Sequence, residues 1–178
     1  MLNIQSQIPL RQYNTLALPS TAEYFCHVSS DAELCEALEW ARQKKLPITL
    51  LGGGSNVVLA ADLPGLVIHI AIPGLQRTPS YEQGETERIV RIGAGENWHQ
   101  LVLQTLDQGW YGLENLSLIP GLAGAAPIQN IGAYGVEVCE FIDSVDVIDM
   151  AIGETKTLKN SQCAFAYRES VFKKTVGE

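Results

Sequence analysis

Apolar and polar positions repeat with two different periods along this chain, and the change of period marks its elements. Residues 1–20 show neither period. Pro9 and Pro19 keep them out of an early helix, so an extended lead-in is expected. Residues 24–28 read as a short strand. Ser30-Asp31-Ala32-Glu33 has the form of a capping box, in which the Ser hydroxyl and the Glu carboxylate each satisfy a backbone donor at a helix start. Leu34, Ala37, Leu38 and Ala41 then recur at helical spacing, Lys44 and Lys45 suit the negative end of the helix dipole, and Pro47 stops the helix. Residues 48–51 read as a buried strand and 66–70 as another. Strand, helix, strand, loop, strand predicts a small βαβ-type lobe over about residues 22–75.

Residues 76–87 are polar and suit a surface connection. A second lobe, about residues 88–178, opens with a strand at 89–92 that runs into Gly93-Ala94-Gly95. Trp98, Leu101, Val102, Thr105 and Leu106 trace one helical face, with Gly109 as its natural C′ residue. All period is lost over residues 112–135, GLENLSLIPGLAGAAPIQNIGAYG. Alternation resumes over 144–149 and 154–158 around Gly153, which reads as a hairpin, and Asn160 or Ser161 can start a short helix or turn leading to Phe165-Ala166-Tyr167-Arg168. The fold class expected is α+β. The chain stops at Thr175-Val176-Gly177-Glu178 without a closing strand, which suggests a fragment or one lobe of a longer enzyme.

Composition narrows the chemistry. With 46% apolar and 18% charged residues in 178, a real core is affordable and disorder is not expected. A formal charge of −8 with no Lys/Arg cluster argues against a nucleic-acid groove. It still permits an anionic ligand held by backbone N–H groups and one or two Arg. Cys26, Cys35, Cys139 and Cys163 have neither CxxC pairing nor zinc-like spacing and read as reduced thiols. There is no signal-peptide pattern and no apolar run near the ~20 residues that span a bilayer, so a cytoplasmic protein away from membranes is expected. No metal site is expected.

The glycines carry the functional signal. In LLGGGSNVV, a strand delivers the backbone to Gly52, Gly53 and Gly54, which can turn N–H groups inward as an anion nest, and Ser55 and Asn56 add donors for pyrophosphate or ribose oxygens. The spacing fits neither GxGxxG nor GxxxxGK[ST]; the alternative is a tight turn between strands. In the long loop, Pro120-Gly121, Gly124-Ala125-Ala126 and Gly132-Ala133-Tyr134-Gly135 offer little side chain beyond Cβ, so main chain can press on a planar ring or diphosphate, while Gln129, Asn130 and Tyr134 supply polar contacts. The alternative is a packed Ω-loop without a ligand. Arg168 beside Tyr167 can hold a carboxylate bidentately or stabilise an enolate; taken alone, pairing with Glu169 or with surface water competes. Glu114 and Asn115 suit holding loop backbone, and His27, His69 and His99 read as ordinary histidines without a catalytic constellation.

In order, these segments resemble the UDP-N-acetylenolpyruvoylglucosamine reductases, flavoenzymes that make UDP-N-acetylmuramate for bacterial peptidoglycan. The matching residues are Asn14-Thr15, Leu51-Gly52-Gly53-Gly54-Ser55-Asn56-Val57, Gly93-Ala94-Gly95-Glu96-Asn97-Trp98, Gly112-Leu113-Glu114-Asn115-Leu116, Ile119-Pro120-Gly121, Pro127-Ile128-Gln129-Asn130-Ile131-Gly132-Ala133-Tyr134-Gly135 and Tyr167-Arg168-Glu169-Ser170. The resemblance implies a two-lobed FAD-binding domain of the vanillyl-alcohol-oxidase kind, with a small βαβ lobe, a mixed or antiparallel sheet lobe with helices, and the flavin between them. It implies that Gly52, Gly53, Gly54, Ser55, Asn56, Ile119, Pro120, Gly121, Gly124, Ala125, Asn130, Gly132 and Gly135 hold FAD, that Tyr134 and Tyr167 face the substrate, and that Arg168 is the catalytic and substrate-binding arginine.

It also implies that NADPH reduces the flavin, which then passes hydride to the enolpyruvyl group of a UDP-sugar, with Arg168 stabilising the enolate-like charge. The family's proton-donating serine and its partner glutamate lie in a later substrate-binding domain that these residues do not include, so the chain alone is expected to be inactive. Residues 121–126, GLAGAA, are more apolar than versions carrying hydroxyls there. None of the three histidines lies in a glycine loop, so FAD is expected to bind noncovalently. A flavin oxidase of the same fold and a noncatalytic, truncated nucleotide-binding module stand as alternatives.

Overall fold

The computed structural model describes residues 2–77 and 89–174. Two compact units account for the chain: Met1–Ile72 with Ile148–Glu154, and Pro73–Val147 with Thr155–Glu178.

In the first unit the lead-in is a strand, β1 (Ile4–Pro9), followed by one 3-10 turn at Arg11–Tyr13, then β2 (Thr21–Val28). Helix α1 (Asp31–Lys44) leads to β3 (Ile48–Leu51), and β4 (Leu63–Ile70) completes a sheet in the order β1-β2-β4-β3. β1 runs antiparallel to β2, while β4 lies parallel to both β2 and β3. Two corrections follow. The strand at 48–51 is an edge strand with Leu50 48% exposed rather than a buried one, because β4 takes the inner position. The capping box forms only in half: Ser30 Oγ accepts from Glu33 N at 3.2 Å, whereas the Glu33 carboxylate accepts from the N–H and hydroxyl of Ser29, each at 2.8 Å. At the other end Lys45, not a glycine, takes the left-handed conformation (φ 56°), and Lys45 N and Leu46 N close a Schellman pair onto Arg42 O and Ala41 O.

The strand period of two sorts this core into two layers. Cys26, Val28, Leu66 and Ile68 face Ala37, Leu38 and Ala41 of α1, and Phe25 and Val67 face Leu10, Leu51 and Leu59 on the other side. Burial of each large aliphatic side chain is worth about 1.5–3 kcal/mol. The turn at 149–153 also packs here: Arg42 Nη1 donates to Ala151 O, and Cys35 Sγ lies 3.7 Å from Gly153 O.

The second unit holds short strand pairs around α2 (Trp98–Asp107). β5 (Leu75–Arg77) pairs antiparallel with β6 (Val90–Ile92), and α2 follows. Asn97 caps α2 by accepting from Gln100 N at 3.0 Å, and Gly109 (φ 70°) ends it as expected, with Gly109 N and Trp110 N bonded to Leu106 O and Thr105 O. β7 (Gly132–Ala133) and β8 (Val136–Glu137) form a hairpin, β9 (Ser144–Ile148) pairs with β10 (Thr155–Lys159), and α3 (Val171–Lys174) is a single turn. Trp98, Leu101, Val102, Leu116, Ala126, Ile131 and Val138 make its core, so the long glycine loop is packed against α2 from within. The expected surface connection at 76–87 lies almost wholly outside the described residues.

Candidate functional site

Two loops carry the predicted site, and each is built inside its own unit. In the first, residues 52–62 cross between the parallel neighbours β3 and β4, a connection ordinarily made by a helix. The turn reading for GGGSN therefore fails on topology, since parallel strands cannot be joined by a tight turn. Gly54 (φ 64°) is buried, and a Cβ there would lie 2.0 Å from Tyr13 O and 2.7 Å from Asn14 Cα. The Asn14-Thr15 backbone is thus laid directly on the loop, and Thr15 N and Oγ1 both donate to Gly54 O, at 3.1 and 3.3 Å. Asn14 is 5% exposed; its Nδ2 donates to Leu10 O and Leu18 O and its Oδ1 accepts from Leu18 N. Gly53 and Asn56 stay exposed on the outer face, with Gly52 and Ser55 half-buried.

One feature beside this loop escaped the sequence reading. His27 and His69 stand opposite each other on β2 and β4, with Nδ1 atoms 2.9 Å apart, and the Tyr13 ring lies 5.1 Å from His69. Burial first, and then His27, push the His69 imidazole below its ordinary pKa. The signal was available in principle, since both residues sit at the same register of neighbouring strands, but pairing of β2 with β4 is a tertiary fact.

In the second unit, residues 121–124 lie against Gly93-Ala94-Gly95-Glu96-Asn97: Trp98 N bonds to Gly121 O (3.1 Å), Ala123 N to Glu96 O (2.8 Å) and Gly124 N to Ala94 O (3.0 Å). A Cβ on Gly124 would sit 2.6 Å from Ala94 Cβ, so its missing side chain serves this contact. Glu114 holds the loop entrance as expected, accepting from Gly112 N at 2.6 Å, and the indole of Trp98 donates to Leu116 O at 2.7 Å. His99 Nδ1 accepts from Leu118 N at 3.2 Å, at a residue with φ 62°. Ile119 is half-buried; Pro120 and Ala125 are exposed.

The end of the loop and the Tyr-Arg segment come together. Tyr134 and Gly135 form the two-residue tip of the β7–β8 hairpin with φ of 53° and 81°, the signature of a type I′ turn, in which a bulky first residue is strained. The Tyr134 ring is 89% exposed. Ala166 and Glu169 exchange two backbone hydrogen bonds of 3.0 Å, putting Tyr167 and Arg168 at the tip of another tight turn, with Arg168 at φ 54° and Tyr167 84% exposed. Arg168 Nη2 donates to Gly132 O at 2.8 Å. Its guanidinium is held by the hairpin that presents Tyr134; pairing with Glu169, the alternative weighed for this arginine, does not occur. Ser170 Oγ donates to Ile128 O at 2.6 Å, and Lys173 Nζ to Arg168 O at 2.9 Å. Asn130, fully buried, bonds Glu137, Cys139 and Ala166. Among the described residues no group of three or more His, Cys, Asp and Glu could hold a metal, and no helix is long and apolar enough to cross a membrane.

The chain is 46% identical over 174 residues to a UDP-N-acetylenolpyruvoylglucosamine reductase of Ralstonia nicotianae, covering 98% of this chain and 51% of the relative. It is 46% identical over 173 residues to the reductase of Chromobacterium violaceum, covering 97% and 50%. The chain thus spans about half the length of the curated relatives it matches. Among solved structures, the UDP-N-acetylenolpyruvylglucosamine reductase from Thermus caldophilus superposes with a TM-score of 0.74 at 26% identity, over 96% of this chain and 57% of that one. A VAO-type flavoprotein from Myceliophthora thermophila superposes with a TM-score of 0.60 at 16% identity, over 76% of this chain and 26% of that one, a likeness of fold. The fold is α+β of the VAO type, as the resemblance implied. Residues 22–159, which hold both glycine loops, match the FAD binding domain family, and the chain belongs to that family.

Proposed function

We propose that this chain is the FAD-binding part of an enzyme that reduces UDP-N-acetylglucosamine enolpyruvate to UDP-N-acetylmuramate with NADPH, in cytoplasmic synthesis of peptidoglycan precursors. The observation that carries this reading is the Arg168 guanidinium bonded to Gly132 O at 2.8 Å, at the base of the hairpin whose tip presents Tyr134. A fixed cation beside an exposed aromatic suits a substrate that carries a carboxylate and builds negative charge as it reacts.

The residues fit FAD. Gly53, Pro120, Gly124, Ala125 and Gly135 are exposed and present main chain with little side chain over it, which is what a flat ring or a pyrophosphate needs from a protein of net charge −8. In this reading Gly52, Gly53, Gly54, Ser55 and Asn56 would hold the pyrophosphate, and Ile119, Pro120, Gly121, Gly124, Ala125, Gly132 and Gly135 would hold other parts of the cofactor. When bound, the flavin supplies a carrier that takes hydride from NADPH and gives it up again. The chain's own part is to bind and orient. Tyr134 and Tyr167 hold the substrate, and Arg168 steadies the enolate-like charge until a proton reaches the neighbouring carbon.

The test uses the full-length protein. NADPH should bleach the flavin absorbance, and the enolpyruvyl substrate should restore it. Arg168→Ala should slow the second step by roughly 10²–10³-fold, the scale of losing one charge-stabilising donor, with far less effect on the first. Equal loss in both steps removes Arg168 from this role. A protein that stays colourless and gains no thermal stability from FAD is a noncatalytic module, and turnover of flavin with oxygen alone identifies an oxidase.

A further inference from the structure

We propose that Asn130 is the positioning residue for Arg168, a role that rests on the catalytic reading of that arginine. Asn130 is 0% exposed, and an amide enclosed in this way is costly unless every polar atom is bonded. Here they all are: Nδ2 donates to Glu137 Oε2 at 3.0 Å and to Ala166 O at 3.1 Å, and Oδ1 accepts from Cys139 N at 3.1 Å. A carboxylate on one side and a backbone N–H on the other settle which end of the amide is which. Both donors are spent inside the unit, so the side chain has none left for a cofactor.

The position asks for asparagine twice over. Its φ of 43° lies in the left-handed region, which asparagine tolerates better than other side-chain-bearing residues. Glycine would satisfy the backbone but carry no amide. Aspartate would keep the shape and the acceptor, lose both donors, and set a second carboxylate against Glu137.

What the amide holds is the base of the arginine's turn. Ala166 O accepts from Asn130 and also from Glu169 N, the bond that closes the turn around Tyr167 and Arg168. The same side chain reaches Glu137, the last residue of β8 and the register partner of Gly132, and Cys139 just beyond it, and Gly132 receives the Arg168 guanidinium. One buried amide therefore sets the distance between the two turns whose tips carry Tyr134 and Arg168. Ser170, bonded to Ile128 O, anchors the far side of the same turn. Losing the amide leaves the turn free to shift against the hairpin, and a displacement of about 1 Å at a reacting group can cost about 10²-fold in rate.

The test is a double-mutant cycle in the full-length protein, reading both flavin steps by stopped flow. Asn130→Gly, which keeps the backbone conformation, should slow reoxidation of the flavin by the enolpyruvyl substrate about 10–100-fold more than its reduction by NADPH. In an Arg168→Ala background that extra loss should vanish, because a residue acting through the arginine has nothing left to position. Equal slowing of both steps, or a loss that persists in full without Arg168, overturns the proposal. Should Asn130→Gly not fold, Asn130→Asp carries the same comparison. If the wild-type protein does not turn over this substrate, the functional reading fails on its own, and hydrogen exchange decides the positioning. Faster exchange at Ala166 N and Glu169 N in the variant, with core amides of α2 unchanged, supports it; unchanged protection at both amides overturns it.

Discussion

The two glycine loops reach a similar end by different construction. At 52–56 the loop belongs to a crossover between parallel strands, and the Tyr13-Asn14 backbone presses on it where Gly54 leaves room. At 112–135 the loop is stitched many times over, through Glu114, His99, Asn130 and Ser170, and it holds non-glycine residues in the left-handed region at Leu118, Asn130 and Tyr134. Strain of this kind persists only where surrounding bonds over-determine the backbone, and it gathers where side chains must be aimed. The difference teaches that the first loop is shaped to present main chain, whereas the second presents main chain and also aims side chains.

That contrast can be broken by substitution. The largest effect belongs to Gly54→Ala. A methyl group 2.0 Å from Tyr13 O, at φ 64°, cannot be absorbed by side-chain motion, and stability should fall by about 3 kcal/mol or more in urea unfolding. A loss below about 1 kcal/mol would mean that the lead-in does not rest on this loop. Gly124→Ala meets Ala94 Cβ at 2.6 Å without an unfavourable φ, so a loss of about 1–3 kcal/mol is expected. Tyr134→Asn runs the other way. It relieves a bulky residue at φ 53° and should raise stability by about 1 kcal/mol while removing the exposed ring, so a variant that is both less stable and less active would contradict the aiming role.

The smallest effect is a pH dependence confined to the first unit. His69 binds a proton less readily folded than unfolded, so the unfolded chain takes up the proton first as pH falls below the ordinary histidine value. Stability is then lost on acidification until pH passes below the depressed folded value, and His69→Gln should flatten that slope in unfolding curves between pH 5 and 7. Unchanged curves would show that His69 titrates alike in both states.

Local pattern foretold α1 and α2 well, because their signals are local, and gave no sign of the single turn α3. Leu34, Ala37, Leu38 and Ala41 lie within a few turns of their caps, and Gly109 ends α2 where a C′ glycine should. The capping box forms only in half for a local reason, since Ser29 beside the cap takes the Glu33 carboxylate. The edge position of β3 and the His27–His69 couple depend on which strand lies alongside, and those partners are far apart in the chain. The same holds for the glycines. Their density announced a close approach of backbone, yet for Gly54 and Gly124 the approaching group is the protein itself.

Composition and the ordered glycine segments are enough, on their own, to point to an α+β chain that offers main chain to a flat ring or a diphosphate, and the resemblance carried by those segments names the flavin, because backbone freedom and residue chemistry are written one position at a time. Which side chains converge is another matter. That Arg168 rests on Gly132, and that a fully buried Asn130 ties both turns together, follows from long-range pairing across about three dozen residues (130 to 166), and only folding brings those residues within hydrogen-bonding distance.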